Sequence, residues 1–241
     1  MHSFAKRSFE FFKSSYVIKK KNPKILDLGS MDINGTIKNQ IDFESSYIGA
    51  DLEPGKNVDV VLENPYKLPF EDNNFDFVIS ISTFEHTEFF WESFIEILRV
   101  LKSDGLFFLN APASGHFHRH RTDNWRFYPD AGSSLVNWCK KKGFNPELLE
   151  SFIHNYSGRE GTNDFVAVFI KDEKYKNKYN DRILNSFKDF RNGKIDNNKN
   201  ILNFKKLMQD QDNWGWKLYY KLNKFIDKIN KKILKNEKDK K

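Results

Sequence analysis

The sequence predicts an α/β fold: a mostly parallel, seven-stranded sheet with helices on both faces, an antiparallel hairpin at its C-terminal end, and a helical basic extension beyond it. Three observations carry this. Short apolar, β-branched or aromatic runs ending in turn residues alternate with polar stretches of helical length, the pattern of βαβ units with right-handed crossovers. After Lys142 two such runs follow one another with only a Gly-containing stretch between them. From Trp214 onward the apolar period becomes helical again, with lysines on the remaining positions.

Taken in order, residues 3–20 set Phe4, Phe9, Phe12 and Tyr16 at roughly helical spacing among basic residues, which predicts an amphipathic helix. Strands are predicted at Lys24–Gly29, Ser46–Asp51, Val58–Leu62, Phe75–Ile81 and Leu106–Ala111. Glu88–Lys102 is the clearest helix, with Phe90, Phe94, Ile97, Leu98 and Leu101 on one face; Asp130–Lys142 is a second, carrying Leu135, Trp138 and Cys139. Leu148–Ile153 and Phe165–Ile170 form the hairpin at a sheet edge, and the compact domain is expected to span residues 1–170. Residues 171–213, rich in Lys, Asn and Asp, predict irregular helices with little core. The 171–241 extension closes with a stripe of Leu218, Leu222, Phe225, Ile229 and Ile233.

A chain of 241 residues can bury one generous core, and 24 Phe predict that the core is built on rings. The single cysteine, Cys139, cannot form an internal disulfide. With no signal-like or membrane-spanning run, a cytoplasmic location is expected. The net charge of +7 is local: ten lysines against three acids fall in 214–241, so the rest of the chain is neutral. No nucleic-acid surface is therefore expected.

Ligands of open α/β sheets sit beyond the carboxyl ends of the strands, where strand order reverses. The first predicted strand ends Asp27-Leu28-Gly29, where an acid can hold an ammonium group and a glycine admits a ligand to the backbone. The second ends Gly49-Ala50-Asp51, where a carboxylate can accept both hydroxyls of a ribose. The loop between them, Gly29-Ser30-Met31-Asp32-Ile33-Asn34-Gly35, lacks G-x-G-x-x-G, so a nucleoside cofactor without a phosphate fits better than a dinucleotide. For either acid taken alone, a turn or helix cap is the commoner role.

From Ile25 to Ala113 the chain resembles the class I S-adenosylmethionine-dependent methyltransferases of the type 11 group. The resemblance rests on Ile25–Gly29, Tyr47–Asp51, the run Leu68-Pro69-Phe70-Glu71-Asp72-Asn73-Asn74-Phe75-Asp76-Phe77-Val78, Glu85-His86, and Leu98–Gly105. It implies a Rossmann-like sheet, S-adenosyl-L-methionine as cofactor, and a cofactor site of Asp27, Gly29, Ser30, Gly35, Asp51, Leu52, Asn64, Pro65 and Ser82. Two departures stand out. The usual glycine-rich loop keeps only Gly29 and Gly35, and Asn64 stands where many relatives carry an Asp beside the adenine.

Pro112–Asp130, after the fifth strand, holds three of the six histidines and three arginines. A histidine there suits the base that a hydroxyl acceptor needs, and arginine forks suit a phosphate or carboxylate. His118 is the expected base, with His86 as the second catalytic candidate; Arg119, Arg121, Asp123, Trp125 and Arg126 are the expected acceptor contacts. The bland readings are an Arg126–Asp123 or Arg126–Asp130 ion pair and a Trp125 that is plain core. His116, His118 and His120 alternate and could hold a metal, but no carboxylate cluster accompanies them in sequence, so no metal is expected. His118-Arg119, Asp123, Trp125-Arg126-Phe127 resemble a motif of methyltransferases found with surface-polysaccharide genes, with Arg121 where that motif has proline. The resemblance implies a saccharide or saccharide-linked acceptor in capsule- or O-antigen-type glycan assembly. The alternatives are N- or O-methylation of a small non-sugar acid, and a non-catalytic scaffold. For the C-terminal helix the candidate partners are its own domain, a second subunit, or the inner face of a membrane.

Overall fold

The computed structural model describes residues 3–119, 121–155, 163–196, 198–206 and 214–238. An N-terminal helix α1 (Ser3–Phe12) runs on into one π-helical turn, Lys13–Val17. The strands are β1 (Lys24–Leu28), β2 (Ser46–Asp51), β3 (Val60–Val61), β4 (Phe75–Ile81), β5 (Leu101–Pro112), β6 (Glu147–His154), β7 (Asp164–Ile170) and β8 (Phe190–Ile195). Between them lie α2 (Phe90–Val100), α3 (Ala131–Lys141) and the short α4 (Ile183–Ser186), and α5 (Trp214–Lys238) follows the last strand.

All eight strands join one sheet in the order β3-β2-β1-β4-β5-β7-β6-β8. Pairing is parallel from β3 to β5 and antiparallel from β5 to β8. Strand order reverses between β1 and β4, which fixes the place of the binding crevice.

Eight strands replace the seven expected. The additional strand, β8, lies beyond residue 170, where the sequence reading put a boundary, and pairs with β6, so the hairpin is not the sheet edge. The 171–213 stretch is not coreless either: Ile183, Leu184, Phe187 and Phe190 are buried against α1 and the sheet. Polar residues separate these anchors from one another and from Tyr175, Tyr179 and Ile195, which pack beside them, and so conceal the pattern.

The sheet buries a core on each face. One side packs Phe94, Ile97 and Leu98 of α2 and Leu135, Val136 and Cys139 of α3 over Phe107 and Phe169. The other packs Phe9 and Phe12 of α1 and Tyr16 over Phe77 and Phe108, with Phe12 and Phe108 centroids 4.7 Å apart. No long helix connects β1 to β2 among the described residues; the crossover holds a single 3₁₀ turn at Lys38–Gln40. Asp32, Asn34, Gly35 and Thr36 are weak helix formers, and α1 covers that face.

Candidate active site

A cavity of about 740 Å³ opens beyond the carboxyl ends of β1, β2 and β4, a volume suited to a cofactor and a small acceptor together. Its floor follows from register. Asp27 of β1 pairs with Gly49 of β2, and Asp51 lies two residues further on, so alternation sets both acids on one face. Both line the cavity, as do Gly29, Ser30, Gly35, Leu52, Pro65 and Ser82. Asn64 is not part of that lining: it is exposed, and its Oδ1 accepts the Tyr66 amide at 2.8 Å, closing a turn.

The two glycines of the loop serve the backbone. Gly29 has φ +84°, and a Cβ there would stand 1.9 Å from Thr83 Oγ1, so a side chain at this cavity-lining position would displace its neighbour. Gly35, at φ +109°, donates its amide to Asp32 Oδ1 at 2.7 Å and closes a turn within the loop.

A hub that sequence reasoning missed holds this loop. Asn57 Nδ2 lies 3.0 Å from the Ser30 carbonyl, 3.0 Å from Thr36 Oγ1 and 2.9 Å from the Tyr47 hydroxyl, while Ser30 Oγ donates to the Asn57 carbonyl at 3.0 Å. Tyr47 in turn donates to Asp27 Oδ2 at 2.6 Å. Tyr47 is two residues before Gly49, on Asp27's face, and that alternation is the one signal that could have found it. Burial pushes the Asp27 carboxyl up to about 7, against the Tyr47 bond, with the Asp51 charge adding to the rise. Asp51 accepts the amides of Met31 (3.1 Å) and Leu52 (2.7 Å).

The acceptor end is built from the turn after β4 and the 112–130 loop. Glu85 and His86 sit on a 3₁₀ turn, Phe84–His86. The His86 Nδ1 faces the Thr122 carbonyl and the His118 Nδ1 faces that of His116, so Nδ1 is the donor in each contact. The rings meet edge to face with centroids 5.2 Å apart. Glu85 is buried with Oε2 unpartnered, and desolvation lifts its carboxyl to about 8. Donor atoms of Glu85, His86 and His118 lie within 4.8 Å of one another, a donor set that could hold a divalent cation. Glu85 supplies the carboxylate that the sequence did not place beside the histidines. His120 falls outside the described residues.

The expected acceptor contacts divide. Arg121 and Arg126 line the cavity, as do the two catalytic candidates His118 and His86. Asp123 does not; its buried carboxylate holds Arg126 at 2.6 and 2.8 Å and accepts the His118 amide at 2.8 Å. Arg126 holds the Asp123 carboxyl down at about 2. Arg121 reaches across to Glu53 at 2.5 Å. Trp125 is outside the lining, edge-on to Phe90 and Trp91, its indole N–H directed at the Thr87 and Glu88 carbonyls. Arg119 is exposed and also outside it. Asp123 and Trp125 thus make structural contacts in place of lining the cavity.

The pocket's donor set fits a nucleoside sulfonium. Asp27 is a buried carboxyl lacking a counter-charge, which a ligand ammonium supplies; Asp51 offers acceptors for a diol; Leu52, Leu62 and Pro65 give an apolar wall. The loop runs into no long helix whose amides could meet a pyrophosphate.

Residues 37–109 match the family described as a methyltransferase domain. No curated protein matches the chain. Among solved structures it is similar to the [4+2]-cyclase SpnF (TM-score 0.53, 14% identity, covering 69% of this chain and 81% of that one). It is also similar to the 1,6-didemethyltoxoflavin-N1-methyltransferase of Burkholderia thailandensis, solved with S-adenosylhomocysteine (0.51, 15%, 70% and 79%). A third is the Haemonchus contortus phosphoethanolamine N-methyltransferase 2 (0.50, 16%, 69% and 52%). At these identities the likeness is one of fold, and one fold serves several chemistries. The match over residues 37–109 and the paired acids at the switch point agree on an enzyme that transfers a methyl group with S-adenosylmethionine as its cofactor.

Proposed function

We propose that the chain methylates a hydroxyl of a neutral saccharide or saccharide-linked acceptor in the assembly of a surface glycan. The observation that carries this is the pair of imidazoles at the acceptor end, both lining the cavity and each with Nδ1 turned to a backbone carbonyl. When bound, S-adenosylmethionine supplies a methyl group on a sulfonium. An acceptor hydroxyl must lose its proton as the new C–O bond forms, and a neutral imidazole takes that proton near pH 7. His118 is the base in this reading. The ionised Asp123, 3.5 Å from its Nδ1, stabilises the imidazolium, and Arg126 holds Asp123 in place. Asp27 holds the ammonium group of the cofactor and Asp51 its ribose.

The cavity's charge narrows the acceptor. Beyond the acids given to the cofactor, Glu88 and Asp164 line it, whereas both lining arginines are already paired with carboxylates. An anionic acceptor would meet repulsion, so the small-acid alternative loses support. Glu85 and Asp164 favour one second reading, transfer to an amine of such an acceptor. The matches of His118, Arg119 and Asp123 to Phe127 with the polysaccharide-associated motif support the saccharide class.

The test is methyl transfer from labelled cofactor to a panel of neutral, amino and acidic sugars. Neutral sugars are expected to react best, and preferential turnover of acidic ones would reject the proposal. With the reactive acceptor, His118→Ala is expected to lower turnover by about 10²- to 10⁴-fold while leaving S-adenosylhomocysteine affinity intact. Wild-type turnover in that variant would remove His118 as the base.

A further inference from the structure

We propose that α5 is a docking element for anionic lipid bilayers, lying along the headgroup plane with its apolar stripe inserted. This rests on the helix alone and holds whatever the acceptor.

At 100° per residue, Leu218, Leu222, Phe225, Ile226 and Ile229 fall within an arc about 100° wide, and Lys217, Lys221, Lys224 and Lys228 within a separate arc of about 60°. The apolar arc is not covered by the domain: every residue from 215 to 230 except Asn223 is exposed, Phe225 by 63% and Leu222 by 52%. Trp216, Tyr219 and Tyr220 gather at the first turns, with centroids 5.4 to 6.0 Å apart, the residue types that settle at a water–lipid boundary.

Charge selects the occupant. Residues 214–238 hold eight lysines against Asp227 and Glu237. Pairing this face with a second copy would bring two such helices together and oppose like charges. An anionic surface accepts both features at once, the apolar stripe entering the acyl boundary and the lysines reaching phosphates beside it. No described helix is long and apolar enough to cross a membrane, so α5 would lie on the bilayer.

The experiment is sedimentation of the full chain with phosphatidylcholine vesicles, with and without phosphatidylglycerol. Three proteins are compared: the full chain, a chain ending at residue 213, and the full-length Phe225→Glu/Ile229→Glu variant. The full chain is expected to bind the anionic vesicles on the order of a hundredfold more tightly than neutral ones at low salt, and less tightly as salt rises. Both altered proteins should lose binding while keeping S-adenosylhomocysteine affinity and melting temperature. Equal pelleting of the shortened chain, or equal binding to neutral and anionic vesicles, would overturn the proposal. So would α5-dependent dimerisation in the ultracentrifuge, or binding to a soluble polyanion, without vesicle binding.

Discussion

At the scale of single residues, the acids at the strand ends were legible and their supports were not. Asp27 and Asp51 follow from strand period and spacing. Asn57, Tyr47 and Thr83 are scattered along the chain, and nothing in their local pattern says that they meet at one loop. Glu85 was visible only as the neighbour of His86, because its place is set by distant residues, the amides of Asn124 and Trp125 bonding to its carbonyl. Asn64, assigned by resemblance, does a turn's work. The raised Asp27 carboxyl yields a pH prediction. A ligand ammonium favours the ionised form, so binding displaces the Asp27 proton below pH 7. S-adenosylhomocysteine affinity should rise with pH by up to about tenfold per unit and level off above 7. Titration calorimetry across that range checks it; Asp27→Asn should bind weakly and without the slope.

At the scale of elements, the helices and strands that carry a continuous stripe were readable and those held by a few anchors were not. Glu88–Lys102 was found to within two residues at each end as α2, because its buried face is unbroken. The helix expected across 3–20 widens into a π turn, and β8 was missed: Phe-Arg-Asn-Gly-Lys-Ile has neither strict alternation nor an apolar run. A single buried carboxylate ties these pieces to the sheet. Glu150 on β6 accepts the Tyr16 hydroxyl at 2.5 Å and the amides of Ile183 and Leu184 at 2.7 and 3.0 Å, so one side chain serves the N-terminal helix and the start of α4. Removing it orphans three buried donors. Glu150→Ala should cost about 3 kcal/mol of unfolding free energy, read by denaturant titration. Glu150→Gln, which retains an acceptor, should recover part of that loss.

At the scale of the whole molecule, stability and pH are linked through the cavity. Asp27 and Glu85 bind protons more tightly folded, near 7 and 8, than unfolded, near 4. Between those values the native state holds more protons, so their contribution is full below pH 4 and declines as pH rises toward 8. Melting temperature of the ligand-free enzyme should fall over that window, and the Asp27→Asn/Glu85→Gln double variant should flatten the decline. Paired carboxyls such as Asp123 act in the opposite sense only at lower pH, while the buried His154, held down at about 4, opposes the decline up to the ordinary imidazole range and leaves it steepest above that. The bound cofactor should also flatten it, by ionising Asp27 in the native state. The sheet's two borders have a further consequence, for solution behaviour. β3 ends the sheet with only two residues. At the other border Gly193 of β8 exchanges both backbone bonds with Leu202, and Asn192 does so through its side chain with Lys205. Neither border offers a long row of unpaired amides, so fibril seeds find no template on the folded enzyme. A chain ending at 170 would bare the β8-facing edge of β6 and is expected to self-associate strand by strand, read as sedimented mass rising with concentration.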